Sequence, residues 1–148
     1  NENRRGDNML EKKIKHLEMI ESVIERMARN SFQLKGWTMT LVSAIIALSA
    51  KDADHRFIIF AILPVIGFWL LDSFYLQQER KFRLLYKNVV AKDENDIDFS
   101  MDVSMANGTV EEIKRLCFCR CLFSASEIWF YWIITVAVIA LIIVINIW

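Results

Sequence analysis

The sequence has very little of the two residues that interrupt regular structure. It contains one proline and four glycines among 148 residues, which argues against a loop-rich or all-β chain. It also lacks a net charge, because 18 basic and 18 acidic residues balance, so overall charge indicates no class of partner. Residues 1–33 carry charges throughout, and we therefore expect no cleavable signal peptide.

Cysteine and histidine are scarce and badly spaced for a metal site. Cys117, Cys119 and Cys121 alternate with other residues, whereas structural zinc sites pair their cysteines at wider spacings and need a fourth ligand. His16 and His55 are expected on opposite sides of the membrane that the apolar runs of this sequence predict, so neither completes such a site. An odd, clustered set of cysteines is also a poor disulfide framework. We expect reduced thiols and neither a metal nor another cofactor.

A catalytic set is missing as well. The sequence contains no Gly-rich phosphate loop, no nucleophile elbow and no paired acid site. We therefore expect a protein that is not an enzyme.

Apolar residues are abundant, at 55%, and they gather in three runs. The first covers residues 34–50 and is short against the ~20 residues that a bilayer core requires. The second covers residues 57–76, and the third, residues 128–148, holds no charge. A buried helix of a soluble protein is the alternative for each run, and it is weakest for the third. These runs predict an all-α integral membrane protein with three transmembrane helices.

The basic residues predict how these helices are oriented. Eight basic residues lie before or at the start of the first run, two between the first and second runs, and eight between the second and third. Lysine and arginine are retained on the cytoplasmic side. The N-terminus is therefore expected inside and the C-terminus outside. Residues 129–132 would form the inner aromatic belt and Trp148 would join the outer one.

Two segments are expected to extend into the cytoplasm. Residues 8–33 have apolar side chains three and four apart, which predicts an amphipathic helix. It could pack on its own chain, form a coiled coil between subunits or lie on the membrane surface. Residues 77–127 predict a helix to residue 92 and then a short extended segment, 97–105, with a period of two, which needs a partner strand or a groove. Thr109 and Glu112 form a capping box that opens a helix over 110–123.

An acid inside a membrane span is costly, and Asp72 is therefore informative. Lys35 enters the first span at a similar depth on an antiparallel helix, so a Lys35–Asp72 pair is expected. The pair either sets the register of the two helices or holds a closed gate.

Small and polar residues follow one face of the first span. They recur at steps of four, three, four and three: Gly36, Thr40, Ser43, Ala47 and Ala50. Such a face permits tight helix packing. Alternatively, Thr40 and Ser43 line a water-filled path between subunits.

A basic face follows the second span. Arg80, Lys81, Arg83 and Lys87 recur along one helix. They could contact anionic lipid, act as the orientation signal or neutralise the acidic stretch 93–102. The remaining alternative is a phosphate-bearing ligand, with Tyr86 as a stacking partner for a base.

Four runs of sequence, taken together, are characteristic. LKGWTMTLVSAIIAL (34–48), FWLLDSFYLQQERKFRLLY (68–86), DFSMDVS (98–104) and SEIWFYWIITV (126–136) resemble a widespread family of small bacterial multi-span membrane proteins of anti-phage defence systems. Within it they are most similar to the HalA-like channel effectors of the Hailong system. The acidic DFSMDVS segment would repel DNA unless it is packed away.

This resemblance implies a homotetrameric ion channel in the bacterial inner membrane. A nucleotidyltransferase partner would make a single-stranded DNA oligomer that binds the effector and keeps the channel closed. The oligomer would bind to the basic N-terminal helix and to residues 77–92, and the membrane spans would form the ion path. The alternative function is a non-conducting membrane anchor or adaptor that docks a cytoplasmic partner.

Overall fold

The computed structural model describes residues 2–51, 55–93 and 96–147. Side chains are described for residues 8–49, 58–93, 96–104 and 106–144. The predictions for Trp148 and for the side chains of Ala50 and His55 lie outside these residues.

A single helix, α1, runs from Glu2 to Lys51. At about 1.5 Å per residue it is about 75 Å long. The predicted amphipathic helix therefore continues into the first apolar run, as expected from the absence of proline in this stretch. Its buried side chains include His16 and Ile20 in the charged part, and Leu34, Thr38 and Val42 in the apolar part.

The second apolar run begins as a 3₁₀-helix, His55–Ala61, and continues as α2, Ile62–Ala91. Pro64 lies in the first turn of α2, where its missing N–H leaves no helix bond unmade. α2 extends well beyond the apolar run, as predicted. Its C-terminus is held against α1, because the Lys13 ammonium donates to the carbonyls of Val90 and Lys92, at 3.0 and 2.8 Å.

After α2 the chain returns along the helices as an extended strap, residues 96–109. No strand occurs among residues 2–51, 55–93 and 96–147, so the predicted strand pairing is absent there. The strap lies in a groove instead, and Ile97, Met101 and Val103 pack against α1 and α2. Asp102 caps a 3₁₀ turn, Val103–Met105, which ends the alternation.

His16 and Asn88 fasten the strap. Phe99 has a φ of 54°, a conformation that bulky residues rarely adopt, and its ring lies 5.4 Å from that of His16. The buried His16 Nε2 lies 3.1 Å from the Ser100 carbonyl. The Asn88 amide donates to the Asn107 carbonyl and accepts from the Asn107 N–H. The strap is thereby fixed over the apolar side chains of Ile20, Leu85 and Val89.

Three further helices follow among the described residues: α3, Val110–Arg115, α4, Phe118–Leu122, and α5, Ala125–Ile147. The capping box of Thr109 and Glu112 is confirmed. The prediction of one helix over 110–123 is wrong, because the chain is extended at Cys117. The carbonyls of Arg115 and Leu116 accept from Arg80 and Gln77 of α2 instead.

Two apolar cores lie at different levels of the long helices. One, in what we call the apolar half, joins Val42, Val65 and Val138 from α1, α2 and α5. The other, in the charged half, joins Ile20, Leu85 and Val89 beneath the strap. The apolar half comprises residues 34–51, 55–76 and 125–144, and the charged half comprises residues 8–33, 77–93 and 96–124.

Among the residues that the structure describes, two helical stretches are long and apolar enough to cross a membrane. They are Ile58–Ala91 and Ala125–Val144, and only 28% and 17% of their most apolar windows are buried. The core helix of a soluble protein would be mostly covered, and these two windows are not. Residues 34–50 of α1 do not form a third such stretch. Trp129 and Trp132 are exposed, whereas Tyr131, also predicted for the aromatic belt, is buried.

Candidate functional site

The three long helices meet at a buried group of charged side chains. Lys35 of α1 lies 2.5 Å from Asp72 Oδ2 of α2 and 3.0 Å from Glu127 Oε1 of α5. The Tyr131 hydroxyl donates to Asp72 Oδ2 at 3.1 Å. We call Lys35, Asp72, Glu127 and Tyr131 the ion cluster. Because one ammonium contacts carboxylates from two other helices, the cluster fixes all three against each other.

The two acids and the tyrosine of the ion cluster are almost sealed from solvent, whereas the Lys35 side chain is 21% exposed. Asp72 is 0% exposed, and Glu127 and Tyr131 are 1% exposed. The Lys35 ammonium also donates to Ser31 Oγ, one helical turn earlier. Trp69 stacks beside Tyr131 at 6.2 Å and covers one side. Charges held in so dry a place interact strongly, and removal of one partner leaves the other costly to keep.

The Lys35–Asp72 contact was predicted from sequence, but Glu127 was not placed with it. Glu127 directly precedes the third apolar run as that run was delimited. It also follows Ser124 at capping-box spacing, a pattern that predicts a side chain turned back to its own helix end. In the structure the Glu127 carboxylate reaches Lys35 instead. The one sequence feature that could have indicated this contact is an acidic residue directly before a run of aromatic residues.

Thr40 and Ser43 do not belong to the ion cluster. Both are exposed, together with Gly36 and Ala47, on the face of α1 opposite the buried Thr38 and Val42. The Thr40 hydroxyl donates to the Gly36 carbonyl of its own helix. These four residues of the stripe therefore face outward in the part of the chain that the structure describes.

A second site is an open groove in the charged half. Its cavity measures about 860 Å³, within the range of small-molecule sites. Its charged lining comprises Arg80, Arg83, Lys87, Arg115, Arg120 and the single acid Glu112, and its apolar lining includes Leu84, Leu116 and Phe123. We call it the basic groove. Five basic groups against one acid make it attractive to anions.

The structure brings together only part of the predicted ligand site. Arg80, Arg83 and Lys87 line the basic groove, whereas Lys81 and Tyr86 do not. The Tyr86 ring instead packs against the core of Ile20, Leu85 and Val89. Phe123, which is 63% exposed, is the aromatic side chain of the groove. Arg115, Arg120 and Phe123 were missed because they come from a segment distant in sequence from α2.

Several of the groove's basic groups are also structural. Lys87 pairs with Glu112 at 2.5 Å, and Arg83 pairs with Glu79 at 2.8 Å. The hydrogen bond from Lys87, followed by those from Thr109, lowers the pKa of Glu112 to about 2. Arg115 and Arg120 make no side-chain hydrogen bond or ion pair with the described residues.

Residues 115–124 connect the basic groove to the ion cluster. Arg80 donates to the Arg115 carbonyl and, at 2.9 Å, to Ser124 Oγ. Trp69 donates to the Leu122 carbonyl. Ser124 directly precedes α5, and Glu127 lies in the first turn of that helix. The link therefore ends within one helical turn of Glu127.

The cysteines lie in this link. Cys117 and Cys119 are exposed and Cys121 is buried. Burial raises the pKa of the Cys121 thiol, and Arg80 opposes part of that rise. Among the residues whose side chains are described, no group of three or more histidine, cysteine, aspartate or glutamate residues could hold a metal ion.

No family model, curated protein or solved structure matches this chain.

Proposed function

We propose that the protein is a homo-oligomeric membrane channel, an effector of bacterial antiviral defence, gated by a nucleotide or DNA oligomer on the cytoplasmic side. The observation that carries the proposal is the connection between the basic groove and the ion cluster. A ligand in the groove touches the link, and the link leads within a few residues to Glu127. The apolar runs, the basic residues of the charged half and the family resemblance support the rest.

The groove suits a phosphate-bearing ligand with a flat base. Guanidinium groups bind phosphate oxygens through two parallel hydrogen bonds. Arg115 and Arg120 are exposed and therefore accessible to such a ligand. Phe123 offers a ring face for stacking, which Tyr86 cannot offer from its packed position. The acidic side chains of the strap lie outside the groove lining. The repulsion expected from DFSMDVS is therefore reduced by its placement.

The pore requires several copies. Three helices cannot enclose a water-filled path alone, and the exposed stripe of Gly36, Thr40, Ser43 and Ala47 gives α1 a face for a neighbouring subunit or for water. In this proposal α1 from residue 34 is the third span. The ion cluster holds α1, α2 and α5 together in the closed state, and ligand-driven movement of the link changes that hold.

Conductance in planar bilayers tests the proposal. Purified protein should produce currents whose open probability changes with added single-stranded DNA oligomers. In Arg115→Glu/Arg120→Glu the oligomer should lose its effect, and its affinity should fall by roughly tenfold or more at moderate salt. The matched control, Lys81→Glu/Lys114→Glu, makes the same charge change outside the groove and should respond like wild type. Equal losses in both variants would contradict a site in the groove, and silent bilayers with a detergent-stable monomer would contradict the channel.

A membrane anchor or adaptor is the competing function. The exposed Thr40 and Ser43 discriminate the two, because bulky side chains there would obstruct a path but leave the groove intact. Thr40→Leu/Ser43→Leu should abolish current while oligomer binding persists. Leu48→Phe, an exposed position outside the stripe, is the control and should conduct normally. Normal current in the Thr40/Ser43 variant would show that these residues do not line the pore.

A further inference from the structure

The ion cluster contains more negative charge than positive charge. Each of the three helices around it contributes titratable groups. Lys35 comes from α1, Asp72 comes from α2, and Glu127 and the Tyr131 hydroxyl both come from α5. If both carboxyls were ionised, one ammonium would face two carboxylates. An uncompensated charge is costly in so buried a place.

The hydrogen bonds agree with this surplus of negative charge, because the carboxyl oxygens outnumber the donors that reach them. Lys35 and Tyr131 both donate to Asp72 Oδ2, and Lys35 also donates to Glu127 Oε1. Asp72 Oδ1 and Glu127 Oε2 are buried and have no hydrogen-bond partner. A buried carboxylate oxygen without a donor loses its solvation and gains nothing in exchange. Each acid therefore has one oxygen suited to carry a hydrogen.

A proton fits this deficit better than a metal ion. The Lys35 ammonium already occupies the position between the two carboxyls. One proton would cancel the surplus negative charge and turn one bare oxygen into a hydroxyl group. Because the Lys35 ammonium contacts both carboxyls, one proton serves the pair.

We infer that the resting protein binds one proton at the Asp72–Glu127 pair. The site holds this proton at neutral pH, where exposed carboxyls are ionised. This inference rests on the cluster alone and stands whether or not the protein conducts. If the proposed function is also right, opening the cluster to water releases the proton, and acidification favours the closed state.

Infrared spectroscopy of the purified protein, in a detergent without ester groups, tests the inference. A protonated carboxylic acid has a C=O stretching band that a carboxylate lacks. Asp72 and Glu127 are the only buried acids among the residues whose side chains are described, so wild type should show this band at neutral pH. Its absence at neutral pH would overturn the inference.

Three variants assign the band. Asp72→Asn and Glu127→Gln each leave one carboxyl with Lys35, and each should lose the band. Glu79→Gln, at a partly exposed acid paired with Arg83, is the matched control and should keep it. A band retained in both Asp72→Asn and Glu127→Gln would overturn the inference.

Lys35→Met provides a test in the opposite direction. Without the ammonium both carboxyls should become neutral, and the band should roughly double. An unchanged band would contradict a shared proton. If the Asp72 and Glu127 variants do not fold, carbon-13-labelled aspartate and glutamate in wild type decide instead. The band should then shift with one or both labels, and a band that shifts with neither overturns the inference.

Discussion

The two halves of the molecule use the same kinds of charged side chain in opposite ways. In the apolar half, Lys35 joins two buried carboxyls from different helices. In the charged half, Lys87 joins Glu112 at the same 2.5 Å, but the Lys87 side chain is 67% exposed. Distance alone therefore does not measure the importance of an ion pair. Burial decides it, because water screens the outer pair and supports either partner when the other is removed.

The largest expected effect comes from a substitution that breaks the buried contacts of Lys35. Lys35→Leu removes the one positive charge that joins three helices, and it should lower the free energy of unfolding by about 3 kcal/mol. Thermal unfolding of the purified protein in detergent measures the change. Lys87→Leu removes a contact of equal length in the charged half and should shift the melting temperature only slightly. Similar losses in the two variants would contradict the role assigned to burial.

A smaller effect isolates one hydrogen bond of the ion cluster. Tyr131→Phe removes only the hydroxyl that donates to Asp72 Oδ2 and keeps the ring that stacks on Trp69. The variant should be less stable by about 1 kcal/mol, measured by the same unfolding experiment. Tyr75→Phe, a partly exposed position on α2, serves as the control and should unfold like wild type. A Tyr131→Phe variant as stable as wild type would mean that the bond contributes nothing.

The smallest expected effect is a local opening of the charged half when the pH is lowered. The pKa of Glu112 is lowered from 4.5 to about 2 by its bonds with Lys87 and Thr109. A carboxyl whose pKa is lowered by folding stabilises the fold above its unfolded pKa, and that contribution is lost as the pH falls toward the folded pKa. Between about pH 4.5 and pH 2, the region around α3 should open, as followed by amide hydrogen exchange. In Glu112→Gln the exchange should already be faster at neutral pH and change less with acid.

The contrast between the halves also explains what could be predicted from sequence. The long helices, the continuation of α1 into the first apolar run and the Lys35–Asp72 contact follow from helical periodicity and from the cost of an acid among apolar residues. Glu127 escaped because its spacing to Ser124 matches a local cap, and only the tertiary contact with Lys35 overrides that pattern.

The charged half was harder because its contacts are not periodic. The alternation over 97–105 predicts a strand, but among the described residues no strand edge is available, so the strap lies on α1 and α2. Likewise, nothing in the sequence marks Cys117 as a break. The helix ends there because side chains of α2 bind the carbonyls of Arg115 and Leu116. Partners distant in sequence decided both outcomes.

The unbroken course of α1 has a mechanical consequence. His16, which fastens the strap, and Lys35, which joins the three helices, are rigidly connected at a distance of about 28 Å along one helix. No turn or glycine lies between them to absorb a rotation. A tilt of α1 at His16 must therefore displace Lys35, unless several backbone hydrogen bonds of the helix break. Force applied at either anchor point is delivered to the other without any intervening hinge.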